Sequence, residues 1–467
     1  MGIRKNNDLE GICMLLKKKT VDMTQGPIWG QLAAYTAPIL LGELFQQLYT
    51  MVDSIIVGRF VGSGALAAIG VSETIVKVLV GFFNGMAVGF TIIIARCFGA
   101  KDREKLDRMV NAVLQLALLL GIALTAGGLL LTRPILEMVN TSESSFAQAK
   151  VYLTIYFWGI LGFVLYNTVS GILRAVGDVR TPLYCLFFSS VLNILLDLAL
   201  VLLFGMGVDG VAYATIFSQW AASAISLWIL LRRTSLFSID PRRYRLDAQA
   251  AWLLLRMGIP TGIQKTITSA SNVLVLSRIA FFGDACMAGW VIYNKLDHLL
   301  TVCAQSLGSA LSTFVSQNLG AKQYRRIRQG VRTTLLVGTK LFLGLAVLLI
   351  LFRKPFVRIF TPDPETVYFA ERFVLTVTLF KLTQLLMNIF AAALRGTGRM
   401  TLVTIIMLSG IVAFRQLYLV VVTAVANIPW LVGLAYPAGW TFAGCGLLLV
   451  YLFRVRKEWD DACLAAK

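Results

Sequence analysis

Long runs of apolar residues, separated by short polar stretches, make up most of the sequence from residue 28 onward. A helix that crosses a lipid bilayer needs about 20 consecutive, mainly apolar residues. By that criterion the pattern predicts an all-α polytopic membrane protein with twelve transmembrane helices. The predicted spans are 28–58, 66–95, 109–131, 150–172, 182–204, 210–231, 252–280, 286–316, 331–351, 367–393, 402–426 and 430–453.

The second half of the chain repeats the first. Gly99-Ala-Lys101 recurs as Gly320-Ala-Lys322, and the same interval separates Leu173-Arg-Ala-Val-Gly177 from Leu394-Arg-Gly-Thr-Gly398. Each unit contains six helices, an even number, so both units enter the membrane from the same side as parallel repeats. The predicted parts are a cytoplasmic tail (1–26), an N-lobe (27–231), a linker (232–250), a C-lobe (251–453) and a second cytoplasmic tail (454–467), with a central cleft between the lobes.

The distribution of charge gives the orientation. Only 14% of the residues are charged, and the formal net charge is +19. Most basic residues lie in the tails and in every second loop, a bias that marks the cytoplasmic side and leaves no reason to expect a nucleic-acid partner. We therefore expect a multi-pass protein of a bacterial inner or plasma membrane, with both termini in the cytoplasm and the lipid bilayer as its surroundings.

Two carboxylates lie inside apolar runs. Asp53 is near the outer end of the first predicted span and Asp197 near that of the fifth, and each ionised group costs about 3 kcal/mol at membrane depth. Asn193 precedes Asp197 by one turn and shares its helix face. Thr215 lies at a similar depth in the sixth span. Oxygen donors of this kind suit Na⁺, and two close carboxylates can also hold a proton. A hydrogen-bond network that only holds the helices together is the alternative.

These motifs together resemble the multidrug and toxic compound extrusion (MATE) family, DinF-like branch, of the MOP flippase superfamily. The resemblance covers roughly residues 27–453 and rests on Asp53-Ser-Ile-Ile-Val-Gly58, the two repeated motifs and Gln317-Asn-Leu-Gly-Ala-Lys322. It implies a secondary antiporter that exports amphipathic, cationic organic compounds in exchange for inward Na⁺ or H⁺ by alternating access of two lobes. It also implies a cation site at Asp53, Asn193, Asp197 and Thr215, to which helix 4 adds Asn167 or Ser170.

Several further residues are candidates for a role in transport. Pro38 removes one backbone hydrogen bond from the first helix, which permits a kink that is either static or a moving hinge. Aromatic and methionine side chains adapt to varied apolar cations, although ordinary helix packing uses the same residues. The candidates for a substrate cavity are Phe45, Gln46, Tyr49, Phe82, Phe83, Met86, Met387 and Phe390.

The other intramembrane polar residues are more simply explained by structural roles than by a functional site. Glu73 and Lys77 have the spacing of an ion pair on one helix. In the cluster Asn294–His298, Asp297 is expected to pair with Lys295 or His298. His298 is the only histidine, which excludes a metal site or catalytic dyad that needs two. The NorM-like branch carries acids in helices 7 and 10, whereas this chain has Lys265 and Lys381 there, so coupling is expected in the N-lobe alone.

Two rival functions are weighed against export. A lipid or oligosaccharide-lipid flippase of the same superfamily commonly has extra helices and a cationic cavity, whereas twelve spans and few buried arginines favour an exporter. An integral membrane lipid-modifying enzyme needs a catalytic constellation, which the sequence lacks. We expect no enzymatic activity, no cofactor, no metal beyond Na⁺ at the carboxylates, small organic molecules as substrates, and a monomer.

Overall fold

The structure, a computed structural model, describes residues 21–139, 141–232, 237–239 and 247–465. These residues form helices joined by short turns, and no strand occurs among them. The helices of the first half are α1 Ile28–Ile56, α2 Ser63–Gly99, α3 Arg103–Met138, α4 Glu143–Ala175, α5 Arg180–Leu198 and α6 Val208–Leu231.

The second half follows the same plan with more interruptions. Its helices are α7 Ala248–Ala280, α8 Asp284–Gly320, α9 Tyr324–Leu351, α10 Arg353–Arg358, α11 Pro364–Thr378, α12 Lys381–Gly396, α13 Met400–Leu408, α14 Arg415–Val425, α15 Pro429–Gly433, α16 Ala435–Val450 and α17 Arg456–Ala465. The helices α11 and α12 meet at a bend of 47° and form one broken span. The elements therefore group into the twelve predicted spans.

Most of these spans are apolar enough to cross a membrane. Within the described residues, nine are long and apolar enough by themselves, and the bent pair α11 and α12 makes a tenth. The helices α1 and α7 have 29 and 33 residues, which is long enough, but α1 contains Glu43 and Asp53, and α7 contains Arg256, Lys265 and Arg278. Polarity, and not length, separates these two helices from the others.

Four π-helical turns interrupt the α-helices. They are Val57–Val61, Ala199–Leu203, Ser409–Phe414 and Tyr451–Val455. The first directly follows α1 and the second directly follows α5, and these two turns contact each other. Single π turns are frequent at functional sites. The sequence suggested a different irregularity, a kink at Pro38. This residue lies inside α1, and the helix remains α-helical through it.

The chain forms two compact units. The first contains the described parts of Met1–Gln25, Ala37–Glu73 and Arg103–Asp247, and the second contains Gly26–Thr36, Thr74–Asp102 and the described part of Ala248–Lys467. The start of α1 and most of α2 therefore pack with the second half of the chain. Glycines permit this packing, because a Cβ atom on Gly85 would lie 2.6 Å from the carbonyl oxygen of Thr261.

The repeated motifs adopt the same backbone geometry. Lys101 and Lys322 have φ angles of 55° and 57°, which are unusual for residues with a side chain. The two motifs also pack against each other reciprocally within the second unit. A Cβ on Gly99 would lie 1.9 Å from the carbonyl oxygen of Gln317, and one on Gly320 would lie 2.1 Å from that of Arg96. Only glycine fits at these two positions.

Candidate functional site

The two intramembrane carboxylates of the first unit lie together. Asp53 is in the last turn of α1 and Asp197 is in the last turn of α5, and their residues are 8% and 0% exposed. Their side chains are within hydrogen-bonding distance of each other. Ionised carboxylates only accept hydrogen bonds, so this contact needs either a shared proton or a cation between the two groups.

The remaining polar atoms of this pair lack partners. Apart from the facing carboxyl group, Oδ1 of Asp53 and both carboxyl oxygens of Asp197 have no hydrogen-bond partner in the part of the chain that the structure describes. The same holds for both polar atoms of the Asn193 side chain, which is 2% exposed. Each unsatisfied buried polar group costs about 1–3 kcal/mol. The cluster therefore has an unused capacity to bind a positive ion.

Two other predicted ligands make hydrogen bonds within their own helices. The hydroxyl of Thr215 donates to the carbonyl oxygen of Val211 at 3.0 Å, and the amide of Asn167 donates to that of Phe163 at 2.9 Å. Their oxygen atoms keep free lone pairs. A place for either residue in the cation site stays a prediction, and so does a place for Ser170, which is buried on α4 three residues after Asn167.

The structure places Tyr49, Tyr152 and Glu73 near Asp53. Tyr49 lies one turn before Asp53 on α1. Both Tyr49 and the buried Tyr152 interact electrostatically with the carboxyl group of Asp53. Tyr152 stacks on Tyr156, with 6.3 Å between the ring centroids. Glu73 of α2 is near enough to act on Asp53. One sequence feature could have predicted that Tyr152 and Tyr156 lie together. Their spacing of four residues places both on one face of α4.

The predicted cavity residues fall into two groups. Phe45 and Gln46 are exposed on α1, Tyr49 lies beside Asp53, and Phe82 is half-buried. The other four are buried within the second unit, and they are Phe83, Met86, Met387 and Phe390. Phe390 packs on Tyr451 with 5.4 Å between the ring centroids. In the conformation described here, these four side chains pack in a helix interior.

The second unit carries a buried ion pair that the sequence did not reveal. Lys381 of α12, which is fully buried, donates to the carboxylate of Asp297 and also to the hydroxyl of Thr301 at 3.1 Å. Its ammonium lies 4.6 Å from the centroid of the Trp440 ring. The expected partners of Asp297 were therefore wrong, since Lys295 lies over Phe360 instead. Lys381 and Asp297 meet because two helices that are distant in sequence cross at the same depth.

The comparison with known proteins gives a consistent result. The family model described as MatE matches residues 38–199 and again residues 260–421. Two Bacillus subtilis proteins, named "Probable multidrug resistance protein YpnP" and "Probable multidrug resistance protein YoeA", are each 30% identical to this chain. These alignments cover 93% and 91% of this chain and 97% and 93% of the relatives.

A solved structure shares the fold. It is an outward-facing multidrug resistance MATE family transporter of the MOP superfamily, with a TM-score of 0.88 and 21% sequence identity. The alignment covers 95% of this chain and 99% of that one. The two matches of the family model fall on the two repeats that the sequence motifs predict.

Proposed function

Because the chain belongs to the MatE family, we propose that it is a secondary active antiporter for multidrug efflux. Its substrates are amphipathic organic compounds that carry a positive charge, and the driving force is an inward gradient of Na⁺ or H⁺. The family membership and the names of the two Bacillus subtilis relatives support export of drugs. This conclusion rests on the family, which is one of transporters.

The observation that carries the coupling mechanism is the contact between Asp53 and Asp197. Two buried carboxyl groups at hydrogen-bonding distance repel each other strongly when both are ionised. A Na⁺ ion coordinated by their oxygens and by the amide oxygen of Asn193 removes this repulsion, and so does a proton. Both ions therefore compete for one place, and occupancy stabilises the arrangement of α1 and α5 in which the carboxyl groups are close.

Coupling follows if substrate favours the other arrangement. A ligand shifts a conformational equilibrium only by its difference in affinity for the two states. A cation that binds tightly when Asp53 and Asp197 are close favours that state, and loss of the cation favours the state in which the helices separate. Directly after α1 and α5, the π turns that follow both carboxylates change the spacing of the backbone hydrogen bonds from four residues to five. They are suited to absorb such a change.

The setting of the transporter is a cell membrane. The basic loops support an orientation with both termini in the cytoplasm, by the positive-inside rule. The inferred partners are the lipid bilayer, small organic substrates and the coupling cation, and we propose that one chain is sufficient for transport. The bacterial relatives support a bacterial inner or plasma membrane.

Export of ethidium from a bacterium that lacks its own efflux pumps tests this function. Cells that express the wild-type chain should export the dye, and the rate should depend on Na⁺ or on pH when the two are varied separately. In Asp53→Asn and Asp197→Asn the ion-dependent part of the rate should fall at least about fivefold, the lower end of typical coupling energies.

Asp284→Asn is the matched control, because Asp284 is an exposed acid at the start of α8. This variant should keep the wild-type rate and the wild-type dependence on the ion. Wild-type export by both Asp53→Asn and Asp197→Asn, at equal expression, would rule out the proposed coupling site. Failure of the wild-type chain to export ethidium or any other amphipathic cation would contradict the proposed function itself.

A further inference from the structure

A short stretch of chain before α1 is anchored on a turn of the first unit. The main-chain N–H of Val21 donates to the carbonyl oxygen of Gly177 at 3.0 Å, in the turn between α4 and α5. Gly177 has a φ angle of 87°, and a Cβ atom there would lie 2.3 Å from the carbonyl oxygen of Val21. The first copy of the repeated motif, Leu173-Arg-Ala-Val-Gly177, therefore provides a docking place that only glycine leaves open.

Residues Val21–Gln25, named the N-terminal segment here, fold against this turn without forming a helix. The side chain of Met23 is fully buried within the first unit. The carboxylate of Asp22 accepts hydrogen bonds from the main-chain N–H and the hydroxyl of Thr24, at 2.9 Å and 2.6 Å. Gln25, the last residue of the segment, is exposed. A main-chain hydrogen bond and a buried apolar side chain thus hold the segment in place.

The chain passes into the second unit at the next residue, Gly26. Nη2 of Arg326 donates to the carbonyl oxygen of Gly26 and to Oε1 of Gln31, each at 2.8 Å. One turn further along α1, the hydroxyls of Tyr35 and Thr313 share a hydrogen bond of 3.1 Å. The start of α1 is therefore held by α8 and α9, whereas the N-terminal segment is held by the first unit.

The packing of α1 and α2 indicates which state of a transport cycle is present. The start of α1, Gly26–Thr36, and the later part of α2, within Thr74–Asp102, pack with the second half of the chain. α1 begins and α2 ends on the side that the basic loops mark as cytoplasmic. On this side, parts of the first half are thus held by helices of the second half. We infer that the cytoplasmic side is closed in this state.

Only a few residues connect the two anchors. Five peptide steps lead from Val21 to Gly26, and an extended chain covers at most about 3.3–3.6 Å per residue, so the connection spans no more than about 18 Å. The turn between Asp22 and Thr24 shortens it further. Opening of the cytoplasmic side moves the start of α1 away from the first unit. The connection then becomes taut, and one of its two ends has to detach.

The N-terminal segment is the end that detaches more easily. It is not helical, and Met23 is its one large side chain that is buried. The start of α1 is helical and buries two large side chains, Leu32 and Tyr35, each 1% exposed. Helical turns that are packed in this way are more stable to local opening than an irregular segment near a chain terminus. The start of α1 therefore stays with the second unit.

We propose that the N-terminal segment is a cytoplasmic latch. It docks on the turn at Gly177 while the cytoplasmic side is closed and detaches each time that side opens. This proposal rests on the export function, because alternating access supplies the movement. The docked segment stabilises the closed state alone, so it lowers the fraction of molecules that are open to the cytoplasm.

A reversible cross-link tests whether the segment has to detach. In the double variant Val21→Cys and Arg180→Cys, a bis-methanethiosulfonate reagent ties the segment to the exposed first residue of α5. Uptake of ethidium into inside-out membrane vesicles should stop in the linked protein and return when dithiothreitol removes the reagent. Each single variant, treated in the same way, should transport at its untreated rate.

A second cross-link is the matched control. In Gln31→Cys with Arg326→Cys, the same reagent replaces the contact between the start of α1 and α9. Because the latch leaves this contact intact throughout the cycle, the linked protein should transport ethidium at the rate of the unlinked one. The two links differ only in the anchor that they make permanent.

Two glycine variants test the docking itself, without transport. Gly177 and Gly398 occupy the same place in the two copies of the motif, with φ angles of 87° and 88°. A Cβ on Gly177 meets the backbone of Val21, whereas one on Gly398 meets only the end of the Met257 side chain, at 3.1 Å. Hydrogen exchange of the N-terminal segment in nanodiscs should accelerate at least about fivefold in Gly177→Ala, which corresponds to about 1 kcal/mol. In Gly398→Ala it should stay at the wild-type rate.

Met23→Ala, with Gln25→Ala as its control, repeats this comparison without a change in the turn. Wild-type exchange in both Gly177→Ala and Met23→Ala would overturn the docking. Normal transport by the protein linked at positions 21 and 180, or a block by the control link alone, would overturn the latch and leave the export function intact. Failure of the wild-type vesicles to take up ethidium or any other amphipathic cation would contradict the export function, and the latch with it, whatever the exchange rates are.

Discussion

The two buried polar clusters differ in how their side chains are hydrogen-bonded. In the second unit, Asp297, Lys381 and Thr301 hydrogen-bond with one another, as expected for a group that holds helices together. In the first unit, the side chain of Asn193 is buried with no partner in the described part of the chain. A purely structural amide would lower its energy by making hydrogen bonds. The unpartnered amide of Asn193 therefore supports the proposal that this residue binds the coupling cation.

Replacement of Asn193 by leucine separates stability from function. Leucine has a similar volume and no polar atoms, so the loss of a buried unsatisfied amide should leave the melting temperature unchanged or raise it. At the same time, ion-dependent export of ethidium should fall, because one oxygen ligand is missing. Thermal unfolding in detergent and the efflux assay measure the two effects. A large drop in melting temperature, with a normal dependence on the ion, would mean that Asn193 is structural.

The sequence predicted the first buried cluster better than the second. Asp53 and Asp197 were recognisable because each acid is isolated in an apolar run and each lies near the outer end of its span. The sequence showed Lys381 as an intramembrane charge without an explanation, but it did not identify Asp297 as the partner of Lys381. A lysine side chain is long, and the choice of partner depends on how helices cross, which the sequence of a single span does not contain. The same reason hid the proximity of Tyr152 to Asp53.

At the scale of helices, glycines determine where two segments approach closely. The carboxyl ends of α2 and α8 touch through Gly99 and Gly320, each of which lies against the backbone of the other helix. Small residues of this kind allow helices in membranes to pack by van der Waals contact. The contact is reciprocal, since Gly99 faces Gln317 while Gly320 faces Arg96. The two halves of this contact should therefore be equally sensitive to change.

Substitution of either glycine by alanine tests this symmetry. A new Cβ atom would lie 1.9 Å from the backbone in Gly99→Ala and 2.1 Å from it in Gly320→Ala, so both helices must shift. Overpacking of this kind typically costs about 1–3 kcal/mol, and both variants should lose melting temperature to a similar degree. Gly127→Ala in α3 is the control, since nothing lies within 4 Å of its new Cβ. Unequal losses would show that the contact is not reciprocal in solution.

The sequence predicted the helices but not their irregularities. Runs of about 20 mainly apolar residues predicted the number and order of the spans. The π turns have no comparable signal, because the extra residue in such a turn is stabilised by neighbouring helices and not by the local sequence. The break between α11 and α12 was also hidden, since Leu379 and Phe380 are apolar and continue the pattern of the span.

At the scale of the whole molecule, the two halves share their architecture but not their buried charges. The repeat was evident from a few motifs, and the double match of the family model covers the same two segments. Charged positions do not follow it. At the interval that separates the repeated motifs, Asp53 of the first copy meets Leu274, which carries no charge. Motif spacing therefore predicts architecture well, whereas each buried charge has to be assigned from its own surroundings.

The polarity of α1 has a consequence for how the chain enters the membrane during synthesis. Each repeat begins with a helix, α1 or α7, that does not by itself meet the criterion of length and hydropathy for a span, whereas the helix that follows it, α2 or α8, does. A charged residue near the centre of a segment costs about 2.5–3.5 kcal/mol on insertion scales. We therefore expect α1 to need α2 for insertion, as a helical hairpin.

Truncated chains carrying a glycosylation acceptor, translated with microsomes, measure this dependence. A chain that ends at Gly62 should leave α1 largely uninserted, whereas one that ends at Asp102 should insert both helices. Glu43→Leu in the shorter chain should restore insertion, because it removes the charge that lies at the middle of α1. Efficient insertion of the wild-type short chain would contradict the expectation. The polarity of α1 is thus expected to make the first helix dependent on the second from the moment of its synthesis.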